Sequence, residues 1–312
     1  MFSTKPFNSI LELIKAFPDE QTCLNHLTYI RWGDEIVSPF DSSSKVYICK
    51  GNRFRCKNTG KYFNVLTGSI FENTKIPLQQ WFLAIYLFTN HKKGISSYQL
   101  AEDLNITQKT AWFILSRLRY AMEHEEFFKS IGEDDNIQID ETFVGGKNKN
   151  RHKDKKVKNS QGRSFKDKTP VLGILQKTGN IKTIAVVDTK AETIQPIIYN
   201  LVDKGLTINT DEWWAYKGLN HDYNHNVVDH GRGQYVNGIS TTNGIENAWS
   251  HFKRTIFGTY HLVTKKHLQK YCNEFDFRFN NKKNEVMCRF NNFLTCTENK
   301  RLTYNQLTDG SR

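Results

Sequence analysis

Apolar and polar positions along the chain follow two rhythms, and the switches between them divide it. "SILELIKAF" opens with Ser9 and carries Glu12 three residues later, a capping-box spacing ahead of a short helix that Pro18 stops. An apolar stripe through Cys23, Leu24, Leu27 and Ile30 predicts a second helix. Between 45 and 71, "KVYICKGNRFRCKNTGKYFNVLTGSIF" alternates with period two, turns at Gly51-Asn52 and keeps basic residues on its polar face, which predicts a small β module. From Pro77 to Met122 the helical period returns. "PLQQWFLAIYLFTNH" reads as one helix, and "SSYQLAEDLNITQKTAWFILSRLRYAM" splits at "LNIT", where Thr107 can cap the second half. With Leu100, Ala101, Leu104, Ile106, Ala111 and Ile114 inward, this is helix-turn-helix spacing, and Gln108, Lys109, Thr110 and Trp112 start its second helix. An ordinary helical hairpin fits the same pattern.

Further on, strands and helices mix. "NIQIDETFVGG", "TPVLGILQ" and "IKTIAVVD" read as strands, the last two joined by a Lys-Thr-Gly-Asn turn. "AETIQPIIYNLV" follows as a helix despite Pro196, then "LTINTD" as a strand, "EWWAYKGL" as a short helix and "HNVVD" as a strand. "NGIENAWSHFKRTIF" and "KKHLQKYCNEFDFRFN" complete the order as helices, an α/β succession. The expected organisation is a helical pair over 1–34, a β module over 35–75, a helix-turn-helix region over 76–128, an α/β domain over 132–285 and a C-terminal tail over 286–312.

Two carboxylates interrupt the first α/β strand. Alternation places Asp140 with Gln138 and Thr142, and Glu141 in the row of Ile137, Ile139 and Phe143. A buried charge needs a counterpart, and none is evident in the sequence for Glu141. For Asp140, a second acid, Asp211, ends another strand, and a third, Glu246, lies on a helix whose inner face is Ile245, Ala248, Trp249 and Phe252. Carboxylates converging at one sheet edge hold hard divalent cations, Mg²⁺ or Mn²⁺, through oxygen. Two such ions about 3.5–4 Å apart clamp the attacking and leaving oxygens of a phosphodiester displacement.

Charge supports that reading. Lys and Arg total 44 against 32 acids, net +12, which attracts polyanions and above all nucleic acid. Residues 147–168 alone hold ten Lys or Arg against two Asp, either a solvated loop or a grip on phosphate through Lys153, Lys155 and Lys156. The longest apolar run, "WFLAIYLF", is too short to span a membrane, and "MFSTKPFNSI" carries no secretory signal. Six scattered cysteines without a CxxC pair suit a reducing compartment, so a cytoplasmic location is expected.

"IDETFVGG", "TDEWWAY", "HGRGQYVNG", "TTNGIENAWSHFKR" and "FGTYHLVTKKHLQKYCNEFDFRFN" resemble, in order, the blocks of the DDE transposases of ISXO2-like bacterial insertion sequences. Similarity reaches upstream through "LTGSIFENTKIPLQQWFLAIYLFTNHKKGIS" and "LNITQKTAWFILSRLR", covering about residues 15 to 285. The resemblance implies a ribonuclease-H-like catalytic core, a mixed five-stranded sheet flanked by helices, behind an N-terminal zinc-ribbon and helix-turn-helix region. It implies catalytic acids at Asp140, Asp211 and Glu246, with Asn243 a second candidate for the third metal position and Lys253 two turns beyond Glu246. His230 and Tyr235 also match family positions, or are structural. The implied cofactors are two Mg²⁺ or Mn²⁺ ions. The implied partners are double-stranded element ends and target DNA, with a homo-oligomer assembled on them and neither a membrane nor a small-molecule substrate. Terminal repeats would be read by Arg53, Arg55, Gln108, Lys109 and Thr110. The alternatives are a catalytically dead DNA-binding regulator, or a nuclease or resolvase that cleaves without joining. One departure stands out. The family's paired CxxC ligands are here "SPFD" (Ser38, Asp41) and "CKNT" (Cys56, Thr59), and tetrahedral zinc needs four good ligands. A ribbon held by its own small core, without zinc, is expected.

Overall fold

The computed structural model describes residues 5–123, 136–145, 152–158, 168–177, 179–228, 236–237 and 240–309. The chain divides into two compact units, residues 1–124 with 283–312, and residues 125–282.

In the first unit, α1 (Ile10–Ala16) starts as its sequence indicates: Ser9 Oγ accepts the Glu12 N–H, and Glu12 Oε2 reaches back to the Asn8 N–H at 2.7 Å. Asp19 caps α2 (Glu20–Trp32) through the Thr22 N–H. Strands β1 (Val46–Cys49), β2 (Arg53–Cys56) and β3 (Tyr62–Phe63) form an antiparallel sheet over a core of Phe54, Cys56 and Phe63, with Trp32, Ile36 and Val46 around it. Helices α3 (Leu78–Asn90), α4 (Ser97–Leu104) and α5 (Gln108–Ala121) follow, the last capped by Thr107. Asn105, at φ 50, supplies the left-handed residue that ends α4 and lets α5 turn away.

The last residues correct the expected tail. "VMCRFNNFLT" forms a helix, Val286–Thr295, whose Phe290, Phe293 and Leu294 are buried at helical spacing. Phe290 packs against Phe7 and Phe82 at ring separations of 5.3 and 5.2 Å, so the C-terminal segment completes the core that the N-terminal helices begin.

The second unit is a mixed sheet of five strands: β4 (Ile137–Val144), β5 (Thr169–Gln176), β6 (Ile181–Ala185), β7 (Thr207–Asp211) and β8 (Asn224–Val228). Their spatial order is β6-β5-β4-β7-β8, antiparallel on the β6 side of β4 and parallel on the β8 side. One face packs Ile137, Ile139, Leu172 and Ile208 against Ile194 and Ile198 of α6 (Ala191–Leu201). The other packs Val171 and Leu175 against α7 (Asn243–Thr255) and α8 (Leu268–Asn280), through Ile245, Trp249, Phe252 and Phe275. "EWWAYKGL" differs from expectation. It forms two 3-10 turns, Trp214–Tyr216 and Leu219–His221, because Gly218 adopts φ 97 between them and a continuous helix has no room for that conformation.

Strand β6 ends the sheet, and its outward N–H groups are met by side chains. Asn280 accepts from Ile181, Asp276 from Thr183 and Gln269 from Ala185, at 2.7, 3.0 and 2.8 Å. Asn280 and Gln269 also donate back to the Ile181 and Thr183 carbonyls. Helix α8 thus meets the hydrogen-bonding demand of the edge that a sixth strand would otherwise fill. Among the described residues, no helix is long and apolar enough to cross a membrane.

Candidate active site

Strands β4 and β7 run parallel, with Ile137 beside Ile208 and Gln138 beside Asn209. The same offset carried two residues on sets Asp140 level with Asp211. Because side chains alternate, these two acids share the face opposite the Ile137–Ile208 row. Helix α7 is tied to this face at two points. Gln138 Oε1 accepts the Ile245 N–H at 2.9 Å, filling one of the donors that a helix start leaves open. One turn on, Trp249 Nε1 donates to Asp140 Oδ2 at 3.0 Å. Room for the indole comes from β5. Gly173 is the cross-strand partner of Asp140, and a Cβ there would fall 2.5 Å from the Trp249 ring.

The electrostatics follow from this packing. Burial raises Asp140, the negative charges of Asp211 and Glu246 raise it further, and the Glu141 and Trp249 N–H groups oppose them; the carboxyl ends near 6. Asp211 is itself buried and accepts the Trp213 N–H at 3.0 Å. Glu246 is exposed in the first turn of α7, with the Thr242 hydroxyl donating to its Oε1 at 3.2 Å. Glu141 faces the other side of the sheet and accepts the Tyr216 hydroxyl at 2.6 Å. Burial, and then Glu141, hold that phenol well above its usual range. Glu141 is thus a structural acid whose partner lies on the turn after Asp211, out of reach of local sequence reading.

The structure therefore brings Asp140 and Asp211 together and sets Glu246 within electrostatic range of Asp140. Among the described residues, no three His, Cys, Asp or Glu side chains close around one ion-sized point. The donor chemistry, one buried and one partly buried carboxylate crowded by like charge, fits a hard divalent cation held by Asp140 and Asp211. Asn243 and Lys253 are both exposed on α7. His230 and Tyr235 lie outside the described residues. Sequence reading assigned Trp249 to the core and gave Gly173 no role. What could have drawn attention to Gly173 is a glycine in the middle of an otherwise bulky apolar strand.

The residues read as contacting DNA sit in different settings. Arg53 and Arg55 are exposed on β2 and flank the Tyr62 ring at 4.7 and 5.7 Å. Gln108 donates to Ser97 Oγ at 2.8 Å, Lys109 lies over the Tyr304 ring at 5.1 Å, and Thr110 pairs with the Thr107 hydroxyl. Lys153 and Lys156 are exposed at a 3-10 turn (Lys153–Lys155), and the Lys155 side chain lies outside the described residues.

At the knuckle of the β module, the positions expected to align with zinc ligands (Ser38, Asp41, Cys56 and Thr59) are taken up by local hydrogen bonds. Burial pushes the Cys56 thiol up, but hydrogen bonds from the Ser38, Ser44 and Thr59 hydroxyls and the Thr59 N–H bring it down to about 6. Asp41 is turned to Asn58 Nδ2 at 2.8 Å and to the Ser43 hydroxyl at 2.7 Å. One thiol among hydroxyls does not fit tetrahedral zinc.

A mixed five-stranded sheet with two acids on neighbouring parallel strands and a third on a covering helix is compatible with the catalytic core of a ribonuclease-H-like transposase. Residues 133–280 match the ISXO2-like transposase domain. The chain is similar to that family through this domain, as its motifs indicate. It is 28% identical over 283 residues to an uncharacterized protein in transposable element ISH50 of Halobacterium salinarum, an alignment spanning 85% of this chain and 92% of the relative. It is also 28% identical over 102 residues to an uncharacterized transposase-like protein of Haemophilus influenzae, spanning 32% of this chain and 81% of that one.

Proposed function

We propose that the chain is the transposase of an insertion element: it binds the element's ends as double-stranded DNA, cleaves there and joins the freed ends to target DNA. The observation that carries this is Asp140, partly buried beside Asp211 and held near 6 by desolvation and by two other acids. Such crowding persists where a cationic ligand relieves it. A divalent cation, Mg²⁺ or Mn²⁺, would be held by Asp140 and Asp211, with Glu246 or Asn243 as the third donor, and would supply Lewis-acid charge at the scissile phosphate. The chain's own groups do the positioning. Trp249 fixes one oxygen of Asp140, the Trp213 N–H fixes one of Asp211, and Lys253 meets the DNA backbone further along α7. In this reading water attacks the phosphodiester to free a 3′-OH, and that hydroxyl then attacks the target strand.

The second unit serves as a ribonuclease-H-like core. The β module acts as a zinc-free ribbon and α4–α5 as a helix-turn-helix, reading the ends through Arg53, Arg55, Gln108, Lys109 and Thr110, while Lys153, Lys155 and Lys156 hold flanking or target DNA. Two paired ends call for a homo-oligomer on DNA. The test is incubation with Mg²⁺ or Mn²⁺ and labelled DNA from the gene's flanks. Cleavage and joining are expected, and both are lost in Asp140→Asn and Asp211→Asn. Binding without cleavage would overturn the proposal, and cleavage without joining would replace it with a nuclease.

A further inference from the structure

The block after Asp211 holds three large aromatics, and the fold accounts for two. The Trp213 indole donates to the Thr189 carbonyl at 3.0 Å, and Tyr216 is buried with its hydroxyl on Glu141. Trp214, between them, is 74% exposed, and the Lys217 ammonium stands 4.1 Å from its ring centroid. The turn presenting it is pinned. Gln195 Nε2 on α6 donates to both the Ala215 and Lys217 carbonyls, at 2.9 and 3.0 Å, and the Trp213 N–H holds the turn to Asp211. Three peptide units separate Trp214 from Asp211, so their Cα atoms lie within about 11 Å of each other. That is a span a short stretch of nucleotides covers. An indole in water carries a large apolar face on each side, and here a cation lies over one of them in a chain of net charge +12. Flat π surface with adjacent positive charge is the chemistry that takes a nucleobase and its phosphate.

We propose that Trp214 is a stacking platform for an unpaired base of the DNA strand engaged at Asp140 and Asp211, with Lys217 paired to the adjoining phosphate. The inference rests on the proposed function for its substrate and adds to it the state of that substrate: the strand at the site is unstacked, as a nucleotide beside a strand end most readily is.

The test uses the full chain and duplex DNA from the gene's flanks, bearing a short single-stranded extension whose first unpaired base is 2-aminopurine. Binding by the wild-type protein and by Asp140→Asn is expected to quench the probe. Trp214→Ala is expected to abolish the quench and to weaken binding of the extended duplex, relative to a blunt one, by about 10- to 100-fold. Trp214→Phe, which keeps a ring, retains most of both effects, and Lys217→Ala loses a few-fold in affinity at low salt. A quench that survives Trp214→Ala, or equal losses in Trp214→Phe and Trp214→Ala, overturns the platform. A quench in a wild-type protein that cleaves nothing with Mg²⁺ or Mn²⁺ leaves the platform standing and sinks the transposase. Wild-type cleavage with a quench indifferent to Trp214 does the reverse.

Discussion

The knuckle around Cys56 and the acid face around Asp140 both gather polar groups inside folded structure, and they resolve the gathering in opposite ways. At the knuckle, neutral hydroxyls donate to the one thiol, and Asp41 is taken up by Asn58 and Ser43. Each group's demand is met by its neighbour, and the cluster works as a clasp. On the acid face, like charges are pressed together, and the main relief that Asp140 receives from the chain is two N–H groups. A satisfied cluster stabilises; a conflicted one costs stability and marks a candidate functional site. The same contrast separates the two neighbouring carboxylates of β4. Glu141 is settled by Tyr216, and Asp140 is left in conflict.

The largest effect that would break this comparison is on turnover. Asp140→Asn or Asp211→Asn is expected to lower DNA cleavage by at least ~100-fold in a gel assay with Mg²⁺. A milder loss would place the chemistry elsewhere. Next is Gly173→Ala, whose methyl group would meet the Trp249 ring. It is expected to cost about 1–3 kcal/mol in chemical denaturation and to reduce cleavage as well, because the indole that orients Asp140 is displaced.

Stability should move the other way in Asp140→Asn. The native carboxyl titrates near 6 and the unfolded one near 3.8, so the folded state holds the extra proton between them and loses stability as pH rises through that window. Thermal melts are expected to show Asp140→Asn stabilised by ~2 kcal/mol at pH 7 to 8, with the gain gone by pH 4. Among the smaller effects, Ser38→Ala removes a buried hydroxyl donor from the knuckle and is expected to cost on the order of 1 kcal/mol in melting experiments. A zinc-selective chelator is expected to leave the melting curve unchanged. A drop in melting temperature there would show that the knuckle holds a metal and erase the contrast.

Much of this was legible along the chain. Ser9 and Thr107 act as helix caps because capping is decided within four residues. The separation of Asp140 from Glu141 follows from strand alternation alone, and the inward row of α7 from its period. What could not be read depends on pairing between distant segments. Tyr216 as the partner of Glu141, Gly173 opposite Asp140 and the Trp249 donor all require the register of the sheet. The buried stripe of Phe290, Phe293 and Leu294 was present in the sequence but makes sense only beside the N-terminal rings it covers. The failed helix at "EWWAYKGL" turned on one glycine whose left-handed backbone propensity scales cannot foresee.

The side-chain seal along β6 bears on assembly. With Asn280, Asp276 and Gln269 occupying its outward groups, that border offers no template onto which a second copy could add a strand. A second copy meeting that border would have to do so through side-chain surfaces. Once α8 has folded against it, the same seal keeps the β6 edge from recruiting neighbours into a growing aggregate.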